Sequence, residues 1–304
     1  MAFGRGKVIL LGEHGVVYGR PALAASIAKG VSATAGAGPD RLEVQPWGIT
    51  VAPDPEGESP LARAFHAALA LYENTSRPTV QVRAQVDLPG SAGLGCSAAL
   101  GVAVIGAIDA HLGQERSPQA LADASLAWER VFHGNPSGID SAMAAGEASI
   151  AVYHRGEPLE PVHARRPLCL VVGHSGEPGS TAQTVGEVAR QHARDPERIE
   201  QTFDGIASLV RNGRLAIEAG DFAALGQLMD LNQALLNSLM ISTARLEELC
   251  AAARDAGAHG AKLTGGGGGG CMIALVDDRE AARPVLEALA NLDAEAFVAE
   301  TRQP

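Results

Sequence analysis

Lysine is the residue this sequence most nearly lacks: of 24 basic residues only Lys7, Lys29 and Lys262 carry an ammonium group. Where arginine is the default cation, a retained lysine hints that a compact point charge is needed at that place. Aromatic residues are also scarce, at 4%. The core must then be built mainly from alanine, leucine, valine and isoleucine, which suits helices packed on sheets. The four cysteines, Cys96, Cys169, Cys250 and Cys271, stand far apart and form no Cys-x-x-Cys pair. That argues against a disulfide framework or a zinc site and reads as a reduced, cytoplasmic chain. No long apolar run is present. Residues 8–11 are too few for a signal-peptide core, and residues 98–108 reach about half the length of a membrane span. Positive charge is in deficit, with a formal net charge of −11. Such a balance argues against nucleic acid or an anionic membrane as a partner. Any phosphate site in so acidic a chain must draw its positive potential from backbone N–H groups, a few cations and a metal.

The 304 residues suit two compact domains. Strands are expected at residues 7–12 and 21–27, with two more short ones within 31–45. Helices are expected at 61–72 and from 97 to about 112. The alternation of Val80, Val82, Ala84, Val86 and Leu88 with polar neighbours predicts a half-buried strand. Ser117 and Pro118 mark a helix start, and residues 133–140 read as a loop before a strand at 149–153. The polar, proline-containing stretch 155–167 marks a boundary. Beyond it come a strand at 168–172, several helices between 181 and 256, a glycine run, a strand at 271–276, a helix to 292 and a last strand near 296–299.

Three stretches have the composition of a nucleotide site. Residues 87–99 read Asp-Leu-Pro-Gly-Ser-Ala-Gly-Leu-Gly-Cys-Ser-Ala-Ala: a strand end, a glycine loop and a helix start, where backbone N–H groups and the helix dipole favour an anion. Ser97 there can cap the helix or bind a metal. The same residues formally fit the dinucleotide fingerprint, but no second strand ending in an acid follows at the required distance. A G-x-x-x-x-G-K-[ST] phosphate loop is absent. Residues 262–271, Lys-Leu-Thr, six glycines and Cys, lead straight into a strand, which favours a tight loop over a linker. Residues 7–18 carry Lys7 and then Gly-Glu-His-Gly. Finally, Glu129 at a helix end and Asp140 beyond a glycine–proline loop offer a metal-binding carboxylate and a proton acceptor; solvated helix and turn positions are the plainer alternatives.

With these stretches in their order, the sequence resembles the GHMP kinase superfamily, and within it the mevalonate kinases. Gly12-Glu-His-Gly-Val-Val-Tyr-Gly19 and His133-Gly-Asn-Pro-Ser-Gly-Ile-Asp140 are the most branch-specific stretches. The resemblance implies an α+β protein of two domains: residues 1–160, an ATP-binding domain like domain 2 of ribosomal protein S5, and residues 161–304, a ferredoxin-like C-terminal domain. It implies Asp140 as the catalytic carboxylate and Lys7 as the stabiliser of charge at the attacking oxygen. Pro89, Gly90, Ser91, Ala92, Gly93, Leu94, Gly95, Cys96 and Ser97 would wrap the phosphates of ATP, and Ser97 with Glu129 would bind Mg²⁺. Glu13, His14 and Gly266 would contact the acceptor, for which the resemblance implies mevalonate. Other acceptors of the superfamily (phosphomevalonate, homoserine) and a related decarboxylation stay open, and a homodimer is compatible with the sequence. Three residues depart from the family pattern: Cys96 in place of a serine, Gly-Arg-Gly in place of Ala-Pro-Gly before Lys7, and Gly179 where a basic residue is common.

Overall fold

A computed structural model describes residues 1–72, 77–88, 93–133, 136–179 and 181–301. By packing, the chain divides into two units that interleave in sequence: residues 1–6, 29–90 and 95–147 form one, and residues 7–28, 91–94 and 148–304 the other. Strands β1 (Ala2–Leu11) and β2 (Ala22–Ala37) contribute to both.

In the first unit the second half of β2 pairs antiparallel with β5, Val31 opposite Val86. Elements β3 (Arg41–Gln45), β4 (Ile49–Val51), α1 (Pro60–Ala70) and β5 (Val80–Val86) follow in order. Strand β5 runs parallel to β3, and β3 antiparallel to β4. The expected alternation in β5 holds, with Val80, Val82, Ala84 and Val86 buried. Ser59 caps α1 by accepting from the Ala62 N–H, and Pro60 takes the first helical position. Helix α2 (Cys96–His111) is buried on nearly every side, as a helix without a polar face must be. Helices α3 (Pro118–His133) and α4 (Ile139–Ala145) complete the unit.

The second unit holds the first half of β2, paired with β6 (Ile150–Tyr153), and the short β7 (Glu160–Pro161). Its main sheet is antiparallel, in the order β11-β8-β10-β9. The strands are β8 (Cys169–His174), β9 (Gly260–Thr264), β10 (Cys271–Val276) and β11 (Ala296–Glu300). Helices α5 (Thr181–Arg194), α6 (Pro196–Ala219), α7 (Phe222–Ser238), α8 (Ala244–Asp255) and α9 (Ala282–Ala290) supply the rest. Asp195, Asp221 and Thr243 cap α6, α7 and α8. No helix among the described residues is long and apolar enough to cross a membrane.

Three expectations need correction. The strands expected at 21–27 and from residue 31 are one sixteen-residue strand, β2; the ladder continues past Gly30, whose carbonyl accepts from the Asp87 N–H at 2.9 Å. The expected loop ending at Asp140 gives way to α4, so Asp140 stands in the first turn of a helix, where a carboxylate suits the dipole. Residues 260–264, not foreseen as a strand, form β9 in register with β10, Lys262 opposite Ile273.

Helix α7 lies against the start of β9 at backbone distance. A Cβ on Gly226 would come 2.2 Å from the His259 carbonyl oxygen. Alanine there would ordinarily favour the helix by about 1 kcal/mol, but the overlap with backbone outweighs it. Gly226→Ala is expected to cost about 1–3 kcal/mol net, read as a lower urea midpoint at unchanged m-value. An equal or higher midpoint contradicts the close approach.

Candidate active site

In the first unit, the strand-to-helix passage ends at Gly95, the N-cap of α2, which has no side chain of its own to cap the helix. Ser97 does not turn back to cap it. Its hydroxyl donates instead to Glu129 Oε1 at 2.6 Å. Glu129, the twelfth residue of α3, is only 2% exposed, so the solvated-helix alternative fails. The His133 imidazole lies 3.8 Å from the other carboxylate oxygen. Two oxygen-bearing side chains are thus joined at the positive end of a buried helix. Cys96 precedes them; burial first, and the Glu129 charge second, push its thiol up to about 11, so it stays protonated at neutral pH. Asp140 is half-buried at the start of α4. Pro89, Gly90, Ser91 and Ala92 lie outside the described residues.

In the second unit, Lys7 is no solvated strand residue. It is 2% exposed, its Nζ donates to the Gly93 carbonyl at 3.2 Å, and its N–H donates to the Leu94 carbonyl at 3.0 Å. Gly93 has a φ of 74°, and a Cβ on it would lie 2.8 Å from the Thr264 carbonyl oxygen. The glycine loop is therefore held between the lysine strand and the end of β9, at a spacing that excludes other residues.

The six-glycine run is a packed loop. Gly268 N–H donates to the Ile241 carbonyl at 2.7 Å and Gly270 N–H to that of Glu177 at 2.9 Å. Gly267, at a φ of 75°, would place a Cβ 2.4 Å from the Ile241 oxygen. Gly266 accepts from His14 Nε2 at 2.8 Å. A carbonyl only accepts, so Nε2 carries the proton in the neutral ring. His14 itself has a φ of 60° and a ψ of −45°, an unusual backbone for a residue with a Cβ. All three residues expected at the acceptor, Glu13, His14 and Gly266, stand together in this unit.

Three further residues stand beside them, none of which was expected at the acceptor. Lys262 Nζ donates to Glu13 Oε1 and to the Leu263 carbonyl. Asn232 Nδ2 donates to Glu13 Oε2 at 3.0 Å. Thr264 Oγ1 accepts from the Ile9 N–H at 2.9 Å and donates to the Ile9 carbonyl at 3.2 Å, pinning β1 to β9. Burial lowers the Lys262 ammonium's pKa, and the Glu13 charge opposes that shift. The scarcity of lysine was a signal for Lys262. For Asn232 the signal lay in periodicity: Phe222, Leu225, Met229, Asn232 and Leu236 share the buried stripe of α7, and a polar residue on such a stripe asks for a partner.

Burial holds His14 below the ordinary histidine pKa, with its bond to Gly266 opposing. The unfolded chain binds that proton at about pH 6.5 and the folded chain only at lower pH. The resulting stability is full above the unfolded value and is lost as pH falls through it. His14→Asn, which tolerates a positive φ, is expected to lose less melting temperature than the unsubstituted protein between pH 7.5 and 5.5. Equal losses contradict a buried neutral ring.

Residues 62–147 match the GHMP kinases N terminal domain and residues 214–294 the GHMP kinases C terminal domain. A mevalonate kinase of Pyrococcus horikoshii is 36% identical over 296 residues, covering 90% of this chain and 88% of its own. One from Methanothermobacter thermautotrophicus is 34% identical, covering 90% of each. Among solved structures, the L. major mevalonate kinase in complex with R-mevalonate superposes with a TM-score of 0.84 at 27% identity, over 99% of this chain and 95% of that one. With both family domains matched and relatives this similar along nearly the whole length, the chain belongs to the GHMP kinase family, in its mevalonate kinase branch.

Proposed function

We propose that this protein transfers the γ-phosphoryl group of Mg-ATP to the hydroxyl of mevalonate, giving 5-phosphomevalonate. The observation that carries the reading is Ser97 donating to a buried Glu129 at the start of α2, in a chain whose near-full-length relatives are named mevalonate kinases.

Phosphoryl transfer asks a protein for positioning and charge neutralisation more than for covalent chemistry. The backbone around Gly93, Leu94, Gly95, Cys96 and Ser97, with the dipole of α2, would hold the phosphates. Lys7, anchored on Gly93, would offset negative charge on the attacking oxygen. Asp140 would accept or orient the proton of the acceptor hydroxyl. Glu13, His14 and Gly266 would bind the acceptor. Ser97 and Glu129 would hold Mg²⁺, which would supply charge neutralisation to the nucleotide phosphates. The donor set fits that ion: a hydroxyl and a carboxylate, both hard oxygen ligands, stand side by side. The remaining ligands would come from water and substrate phosphates.

An ADP-release assay with mevalonate against a panel of small alcohols tests the acceptor, with turnover expected for mevalonate above the others. Asp140→Asn and Lys7→Met are each expected to lower kcat by about 10²–10⁴-fold with ATP affinity little changed. Undiminished turnover in both would refute the assigned roles. Glu129→Gln is expected to raise the Mg²⁺ concentration needed for half-maximal rate, and an unshifted requirement would remove it from the metal site.

A further inference from the structure

Lys262, Glu13 and Asn232 come from β9, from the turn after β1 and from α7, and all three are buried with essentially no exposure. The lysine takes one oxygen of the carboxylate and the asparagine takes the other. Glu13 is thereby fixed in position and in rotation. Stability alone does not call for this arrangement, because an apolar trio of similar volume is commonly as stable as a buried ion pair. What the arrangement secures is geometry. The next residue, His14, sits at the unusual φ of 60° and is tied to Gly266. A backbone in such a region persists only where its surroundings hold it.

The asparagine is oriented as well. Its Oδ1 is buried with no hydrogen-bond partner among the described residues, and rotating the amide to seek one would turn that oxygen on the Glu13 carboxylate. An unpartnered buried carbonyl oxygen is unfavourable. It is tolerated here on the side of the amide facing away from the carboxylate. The charged and titratable groups acting on the pair are few. Lys262 and Asn232 face Glu13. Lys262 also feels Lys7 on β1, which opposes its charge, and lies near the Cys250 thiol on α8, which burial keeps protonated.

We infer that Lys262 and Asn232 are positioning residues that set acceptor affinity through Glu13 and the turn bearing His14, and that they leave ATP affinity unaffected. The inference rests on the proposed function, which gives Glu13 and His14 to the acceptor.

The test compares steady-state kinetics of the full-length enzyme and its Lys262→Met, Asn232→Leu and Glu13→Gln/Lys262→Met variants, with mevalonate and ATP varied in turn. Losing one hydrogen bond to a charged group is expected to raise the acceptor KM about 10-fold in each single variant, with the ATP KM within about 2-fold. In Lys262→Met the buried carboxyl has lost its counter-charge, and burial favours its neutral form. Its acceptor KM, relative to the unsubstituted enzyme, is therefore expected to rise as pH falls from 8.5 to 6.0. The double variant, having no buried charge, is expected to regain melting temperature, to lose that pH-dependent component and to keep the raised acceptor KM. A merely structural role would move both KM values together, track melting temperature and show no pH component; that outcome overturns the inference, as does an unchanged acceptor KM in both single variants. If Lys262→Met fails to fold, Asn232→Leu and the double variant decide by the same KM split. An unsubstituted enzyme inert towards mevalonate defeats the proposed function and this inference with it. An active one with unaffected variants defeats the inference alone.

Discussion

The second unit is organised around a charge pair that has no contact with water. Lys262 and Glu13 meet where neither has measurable exposure, joining positions 249 residues apart in the chain. Removing either partner of such a pair typically costs about 3–5 kcal/mol, because the survivor is left charged in a medium that solvates it poorly. That penalty constrains the neighbourhood. Strand β9 must lie where Lys262 reaches the turn after β1, and α7 must approach closely enough for Asn232 to take the remaining oxygen. The Thr264 hydroxyl repeats the tie two residues on, at Ile9, and His14 repeats it at Gly266. Lys7, on the same strand as Ile9, is held in turn by the glycine loop.

An acidic protein of this family must create local positive potential against its own net charge. It does so with groups whose position is fixed: a buried lysine, the glycine-capped start of an apolar helix and the backbone of a glycine loop. Fixed dipoles of this kind need no reorganisation when charge develops on a substrate, which is why they serve phosphoryl chemistry well. The same fixity explains the composition of the glycine run. Its backbone hydrogen bonds with Ile241 and Glu177 leave no space for side chains at the contact points, so the run is glycine because its neighbours are backbone.

Much of this was legible before any coordinates. The periodicity of residues 80–88, the helix-start signal at Ser117 and the glycine loop before residue 96 are local features, and each has its counterpart in an element. Ser97 and Glu129 were proposed together from residue type, and they are hydrogen-bonded. The remaining elements depend on a partner strand or are too short to show a period. Strand β2 passes Gly30 because β5 supplies its ladder. Strand β9 exists because β10 pairs with it, although Gly-Ala-Lys-Leu-Thr has little strand character of its own. Helix α4 is only seven residues long, too short for periodicity to declare it.

By itself the sequence determined the order of most elements, the family and the residue types available for phosphate, metal and proton, because these depend on local pattern and on motif spacing. Tertiary structure alone decided which charges are buried, that Lys262 and Asn232 share Glu13, that Ser97 turns to Glu129 and not to its own helix end, and that residues 7–28 pack with the C-terminal half. Burial and partner choice belong to pairs of residues far apart in the chain, 32 positions for Ser97 and Glu129 and 249 for Lys262 and Glu13. A single chain read in order carries no record of which distant groups its folding will bring within hydrogen-bond reach.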